Sequence, residues 1–206
     1  MPPSHHPSID DLCRTGRDLH AHGWVPATSG NFSLRLADGA IAVTISGHDK
    51  GELTPAAIMT VDLEGRPLDP PGAKPSAEVL LHCQIYRRIA ATKSVLHVHS
   101  PSAVALSRLR EADGAVVLTN YEMLKALAGV TTHEATVTVP IFANTQDMPA
   151  LAARVDRTMA EQPPLHGYLI AGHGLYTWGT SLAEARRHVE AFEHLFDCEL
   201  RQRSAR

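Results

Sequence analysis

Three histidines carry the most specific chemical signal in this chain. His97 and His99 sit at i and i+2 in Ser94-Val-Leu-His-Val-His-Ser-Pro101, among the strand formers Val95, Leu96 and Val98. A strand sends alternate side chains to one face, so both imidazoles point the same way. Such a pair makes two corners of a site for zinc or a similar ion. Read alone, it is equally an exposed polar face with two chance histidines. His173 stands in Ala171-Gly-His-Gly174, just past an apolar strand. Its flanking glycines let the backbone turn sharply and let other groups come close. Joined to His97 and His99, it completes three nitrogen ligands with one position open, the arrangement of a catalytic rather than a structural zinc site.

Three further segments are shaped for an anion. Ser29-Gly-Asn31, Ser46-Gly47 and Pro75-Ser76 each set a small hydroxyl residue against backbone N–H groups at a loop or helix start. Lys50 adds a charge. Singly, each segment reads as a turn, and Ser76 as a helix cap; beside a metal motif they read together as a phosphate cradle. Two carboxylates have a structural reading as well as a chemical one. Glu78 falls in the first turn of a helix, where it favours the macrodipole. Glu122 lies three residues after Thr119, the spacing of a capping box.

The elements that must position these groups follow from periodicity. Ser8 caps a helix carrying Ile9, Leu12, Cys13 and Leu19, with Asp11 as capping-box partner and Gly23 as its end. Residues 32–36 form a period-two strand, Asp38-Gly39 a hairpin turn, and 40–45 the returning strand. Thr54-Pro55 opens a short helix, 59–63 is a strand, and Pro67 to Pro75 is a connector. Ser76 opens a helix along Val79, Leu80, Cys83, Tyr86 and Ala90. After the His97/His99 strand come a helix at 101–109, a strand at 116–118, a helix at 123–127 and a strand at 135–139. A helix at 147–159 and a buried strand at 165–171 follow. Ser181-Leu-Ala-Glu184 then opens a long last helix with the stripe Leu182, Ala185, Val189, Phe192 and Phe196. Strands alternating irregularly with helices predict a sheet layered with helices.

Composition narrows the function classes. A chain of 206 residues with 44% hydrophobic residues and a formal charge of −3 is expected to be one soluble domain, residues 1–206. Basic residues are scattered, with a short cluster only at Arg201, Arg203 and Arg206, so no nucleic-acid partner is expected. No apolar run approaches the ~20 residues of a membrane helix, so no membrane partner is expected. The start, without a basic segment or apolar signal core, predicts a cytoplasmic location. Cys13, Cys83 and Cys198 are odd in number and far apart, as reduced thiols are. His5 and His6, in a Pro-rich start, are discounted as ligands.

Thr28-Ser-Gly-Asn31, Ile45-Ser-Gly47, Lys74-Pro-Ser-Ala-Glu78, His97-Val-His99 and Gly172-His-Gly174 follow one another as in the class II aldolase/adducin family. The resemblance runs from about residue 8 to the last helix. Within it, Tyr121-Glu-Met-Leu-Lys125 resembles the matching segment of the methylthioribulose-1-phosphate dehydratases, the methionine-salvage lyases; the sugar-phosphate aldolases typically rely on a tyrosine there. The resemblance implies a three-layer α/β fold with a central, mostly antiparallel sheet. It implies His97, His99 and His173 as ligands of Zn2+ or another divalent transition metal, and Asn31, Ser46, Gly47 and Ser76 at the phosphate. Ala77 replaces a serine usual in the aldolases. Glu78 matches the aldolases' catalytic glutamate and Glu122 the dehydratases' acid/base. The implied partners are a small phosphorylated sugar and further copies of the chain, in a homotetramer with interfacial active sites. The implied reaction removes the C3 proton of a ketose 1-phosphate through an enediolate and expels the C4 hydroxyl as water. Retro-aldol cleavage of a similar phosphate is the nearest alternative, and a non-catalytic adducin-like binding module a further one.

Overall fold

Strands with apolar residues at nearly every position must be covered on both faces, and the middle of this sheet is built from such strands. The structure is a computed structural model that describes residues 8–162 and 164–204. His5, His6 and Arg206 lie outside the described residues. Among the described residues, nine strands form one sheet: β1 (Asn31–Arg35), β2 (Ile41–Thr44), β3 (Ile58–Val61), β4 (Pro67–Asp69), β5 (Ser94–Val98), β6 (Ala115–Thr119), β7 (Thr136–Phe142), β8 (Gly167–Ile170) and β9 (Gly174–Gly179). Their order is β4-β3-β2-β1-β5-β9-β8-β7-β6. Neighbours are antiparallel except β7 and β8, which are parallel.

Helices α1 (Ile9–Ala21), α2 (Val79–Arg88), α3 (Pro101–Leu109), α4 (Met148–Glu161) and α5 (Leu182–Ser204) complete three layers. α1, α3 and α5 bury Leu12, Leu106 and Phe192 against Phe32, Leu96 and Leu175 of the sheet. α2 and α4 bury Ile85 and Leu151 with Val95, Tyr168 and Trp178 on the opposite face. The expected three-layer arrangement around a mostly antiparallel sheet is the one observed. Among the described residues, no helix is long and apolar enough to cross a membrane. All three cysteines are free thiols.

Local signals differ in how far they carry. Ser8 and Asp11 form the full capping box of α1. The α5 stripe is buried from Leu182 to Phe196. Within the expected connector, Pro67–Asp69 adds an exposed edge strand, β4. α2 begins only at Val79: the Ser76 hydroxyl accepts from the Glu78 N–H at 3.3 Å, in a turn that precedes the helix. β9 has no counterpart among the predicted strands, because all six of its residues are buried and no alternation marks it. Residues Glu122–Ala126 form a 3-10 helix with Tyr121 at its N-cap and no side-chain cap, so the Thr119–Glu122 capping box does not form.

Phe192 is fully buried and stacks on Phe196 with ring centroids 5.5 Å apart. Truncating it leaves a cavity that neighbouring side chains of a dense core fill poorly. Phe192→Ala is expected to cost ~3–5 kcal/mol of unfolding free energy, read by urea titration; a loss below ~1 kcal/mol would contradict this packing.

Candidate active site

β5 delivers the first imidazole, His97, from the middle of the sheet. Its register sets His97 opposite Asn31 of β1 on one side and Tyr176 of β9 on the other. Directly opposed residues share a face, so these three side chains rise together towards α2. Tyr176 stacks flat on the His97 ring, centroids 3.8 Å apart. His99 follows the strand end, its N–H donating to the Trp24 carbonyl at 2.9 Å. His173 lies in the turn between β8 and β9. A Cβ on Gly174 would stand 2.0 Å from the Val98 carbonyl oxygen, so only glycine lets β9 close on the end of β5 here. Gly172 adopts φ +65°, the left-handed conformation that favours glycine.

The three imidazoles converge with one carboxylate. His97 Nε2 lies 2.8 Å from His99 Nε2 and 3.3 Å from His173 Nε2. Glu78 Oε1 is 2.9 Å from His173 Nε2, and Glu78 Oε2 is 3.8 Å from His97 Nε2. All four donor atoms lie within 4.8 Å of one another. The His97 Nδ1–H donates to the Leu175 carbonyl at 2.9 Å, which leaves Nε2 as a bare lone pair facing its neighbours. Burial pushes the His97 imidazole well below its ordinary range, and burial with the nearby His173 pushes His99 down to about 4. Neutral imidazole is the metal-binding form. Burial alone would push the Glu78 carboxyl up, but the His173 contact and the Asn31 hydrogen bond outweigh it and hold Glu78 ionised. Crowded lone pairs beside a carboxylate repel one another unless a cation sits among them. The donor set therefore fits a divalent metal ion.

Beside the cluster is a polar cleft of about 100 Å³, lined among others by Ser29, Asn31, Ser46, Gly47, Lys50 and Ser76. The structure thus brings parts of all three expected anion segments together with Lys50. Glu78 and His99 also line it, so cleft and cluster share a wall. Lys50 is 1% exposed, and its ammonium donates to the Thr28 carbonyl at 3.0 Å and the His48 carbonyl at 2.7 Å. Burial pushes its pKa down, with Asp49 and Glu78 pulling the other way. Among the described residues it forms no ion pair with a carboxylate. Among the described residues, the buried Ser29 hydroxyl has no hydrogen-bond partner. An ammonium without a carboxylate partner and an unsatisfied hydroxyl in one small cleft suit an anionic group.

The sequence profile of the class II aldolase and adducin N-terminal domain matches residues 10–200. The chain belongs to the class II aldolase and adducin family. It is 56% identical over 191 residues to a methylthioribulose-1-phosphate dehydratase of Methylococcus capsulatus, covering 93% of this chain and 92% of that protein. A protein of the same name from Sorangium cellulosum is 52% identical over 190 residues, 92% of this chain and 90% of its own length. Among solved structures, the L-fuculose-1-phosphate aldolase of Thermus thermophilus superposes with a TM-score of 0.74 at 29% identity, covering 93% of each chain.

Glu122, the other carboxylate with a chemical reading, belongs to neither the cluster nor the cleft. Its side chain is 73% exposed and pairs with Lys125, with His133 4.0 Å away. Lys125 holds its carboxyl below the usual range. Glu78, by contrast, stands at the N-cap of α2, caps no helix N–H and has its carboxylate on the cluster.

Sequence reasoning missed the groups behind Glu78. Asn31 Nδ2 donates to Glu78 Oε2 at 2.5 Å, and Asn31 Oδ1 lies 2.5 Å from His82 Nε2. His82 Nδ1 lies 2.7 Å from the Ser33 hydroxyl, which lies 2.9 Å from the Tyr86 hydroxyl. A signal existed: Ser33 is two residues from Asn31 on β1, and His82 four from Glu78. Both spacings return a side chain to the same face.

Removing one imidazole leaves a weaker donor set. His99→Ala is expected to lower bound metal per chain severalfold with little change in far-UV circular dichroism; stoichiometric metal by elemental analysis would place the ion elsewhere.

The buried imidazoles also make stability depend on pH. Burial pushes fully buried His82 from 6.5 down to about 4, so the unfolded chain takes up a proton there more readily. The stability is complete above about pH 6.5 and is lost as pH falls towards 4, by up to about 3 kcal/mol for this group. His97 and His99 act in the same direction in chelated protein. Urea titrations of chelated protein at pH 7 and pH 4.5 measure the loss, and equal stabilities would contradict it.

Proposed function

We propose that this protein is a metal-dependent hydro-lyase. It dehydrates 5-methylthioribulose 1-phosphate to 2,3-diketo-5-methylthiopentyl 1-phosphate, a step of methionine salvage. The observation that carries the reading is the shared wall: Glu78 and His99 belong both to the four-donor cluster and to the polar cleft. One small molecule with a phosphate at one end and adjacent oxygens at the other spans both. Relatives more than half identical along nearly the whole chain, named for this activity, support the choice of substrate.

His97, His99 and His173 hold a divalent metal ion, zinc in this reading, whose Lewis acidity favours loss of a proton next to a carbonyl. Ser46, Gly47, Ser76 and Lys50 take the 1-phosphate, with Asn31 lining the same cleft. Glu122 takes up the proton lost from C3 and delivers one to the departing C4 hydroxyl, which leaves as water. Its exposure supports an assembly in which it serves the site of a neighbouring copy, as in a homotetramer with interfacial active sites. Exposed Val117 on edge strand β6 and Met123 beside Glu122 give that face apolar surface to bury. Burial there would also push the Glu122 carboxyl up, towards the range a proton donor needs at neutral pH.

A second reading, retro-aldol cleavage, draws on the Glu78 carboxylate lying on the cluster while Glu122 lies off it. Product analysis separates the two. Incubation with methylthioribulose 1-phosphate is expected to give a phosphate lighter by one water; dihydroxyacetone phosphate and a sulfur-bearing aldehyde would establish cleavage instead. Glu122→Gln keeps the size of the side chain but cannot carry a proton. It is expected to lower kcat by roughly 10²–10⁴ with metal content and Tm nearly unchanged. Should Glu78→Gln silence the enzyme while Glu122→Gln leaves it running, Glu122 is not the acid/base.

A further inference from the structure

We infer that His82 is a positioning residue that acts through the Asn31 amide to hold the Glu78 carboxylate on the metal cluster. The direction of every hydrogen bond in the chain behind Glu78 follows from one fixed end. Asn31 donates its NH2 to Glu78 Oε2 at 2.5 Å, so its carbonyl oxygen faces His82 Nε2, also at 2.5 Å. That carbonyl requires a proton on His82 Nε2. His82 Nδ1 is left as an acceptor for the Ser33 hydroxyl, and the Ser33 oxygen in turn accepts from Tyr86.

Behind Asn31, no member of the chain has an alternative partner in water. His82, Ser33 and Tyr86 are at most 1% exposed, and Asn31 is 5% exposed. The His82 ring also meets Tyr176 edge-on, centroids 5.8 Å apart, and Tyr176 is the residue stacked on His97. With the other tautomer, the His82 Nε2 lone pair would face the Asn31 oxygen. The amide would then reverse and set its own oxygen against the Glu78 carboxylate, acceptor against acceptor. One ring proton, 2.5 Å from Asn31, thus decides which face Asn31 shows to the site.

The tautomer can be read without any turnover. In metal-loaded wild-type protein with 15N-labelled histidine, His82 is expected to show a protonated Nε2 and an unprotonated Nδ1. An Nδ1–H tautomer or an imidazolium would overturn the inference. The kinetic consequence rests on the dehydratase reading. His82→Phe fills the space without either hydrogen bond and is expected to lower kcat by about 10- to 100-fold. His82→Gln offers a donor to Asn31 and an acceptor to Ser33, and is expected to restore most of that loss. In an Asn31→Ala background, His82→Phe should cost nothing further. Full activity in His82→Phe, or losses that simply multiply in the double variant, would overturn the inference. If His82→Phe does not fold, the wild-type tautomer and the rescue by Gln decide. Wild-type protein inactive on methylthioribulose 1-phosphate would sink the functional reading, and the NMR result would then stand alone.

Discussion

The hydrogen bond from His97 Nδ1 to the Leu175 carbonyl joins the two halves of the site. It spans β5 and β9, so it exists only if those strands pair in register. It also chooses the tautomer that turns a bare Nε2 towards His99 and His173. Close approach of the strands depends in turn on Gly174, where any side chain would strike the Val98 carbonyl. Register, tautomer and the absence of a Cβ are one constraint. A shift of β9 by one residue would send Tyr176 to the other face and leave His97 without its stacking partner.

Charge is distributed unevenly across this small region. Burial keeps His97 and His99 neutral, while Glu78 remains ionised beside them. Lys50 is buried in the lining of the same cleft, its ammonium held by carbonyl dipoles. An uncompensated buried charge is costly, and a fold tolerates it mainly where a ligand completes it. The region therefore has the character of a binding site at both ends, cationic at the Lys50 wall and rich in electron pairs at the cluster.

The two glutamates show how differently equal residue types can be placed. Glu78 is fixed by Asn31 and the imidazoles at the start of a buried helix. Glu122 stands in a short 3-10 helix next to the edge strand β6, paired with Lys125 and open to solvent. One is held by hydrogen bonds in a largely buried cluster; the other is exposed on the surface.

Much was decided by sequence alone. The strand pattern around His97 and His99, the glycines beside His173, the capping box of α1 and the stripe of α5 all depend on neighbours within a few residues. Local spacing is a sufficient cause for each, and each took the expected form. The cleft was legible for a similar reason, since small hydroxyl residues and glycines mark turns wherever they occur. β9 was not legible, because a strand buried on both faces has no period and its identity comes from pairing with β5 and β8. Glu78 and Glu122 were ambiguous for the same kind of reason. A carboxylate near a helix start is a cap or a functional group according to what other strands bring to it. Only the meeting of β1, β5 and α2 turned Asn31 and His82 into the support of Glu78, through contacts between residues 47 and 51 positions apart, which no local pattern encodes.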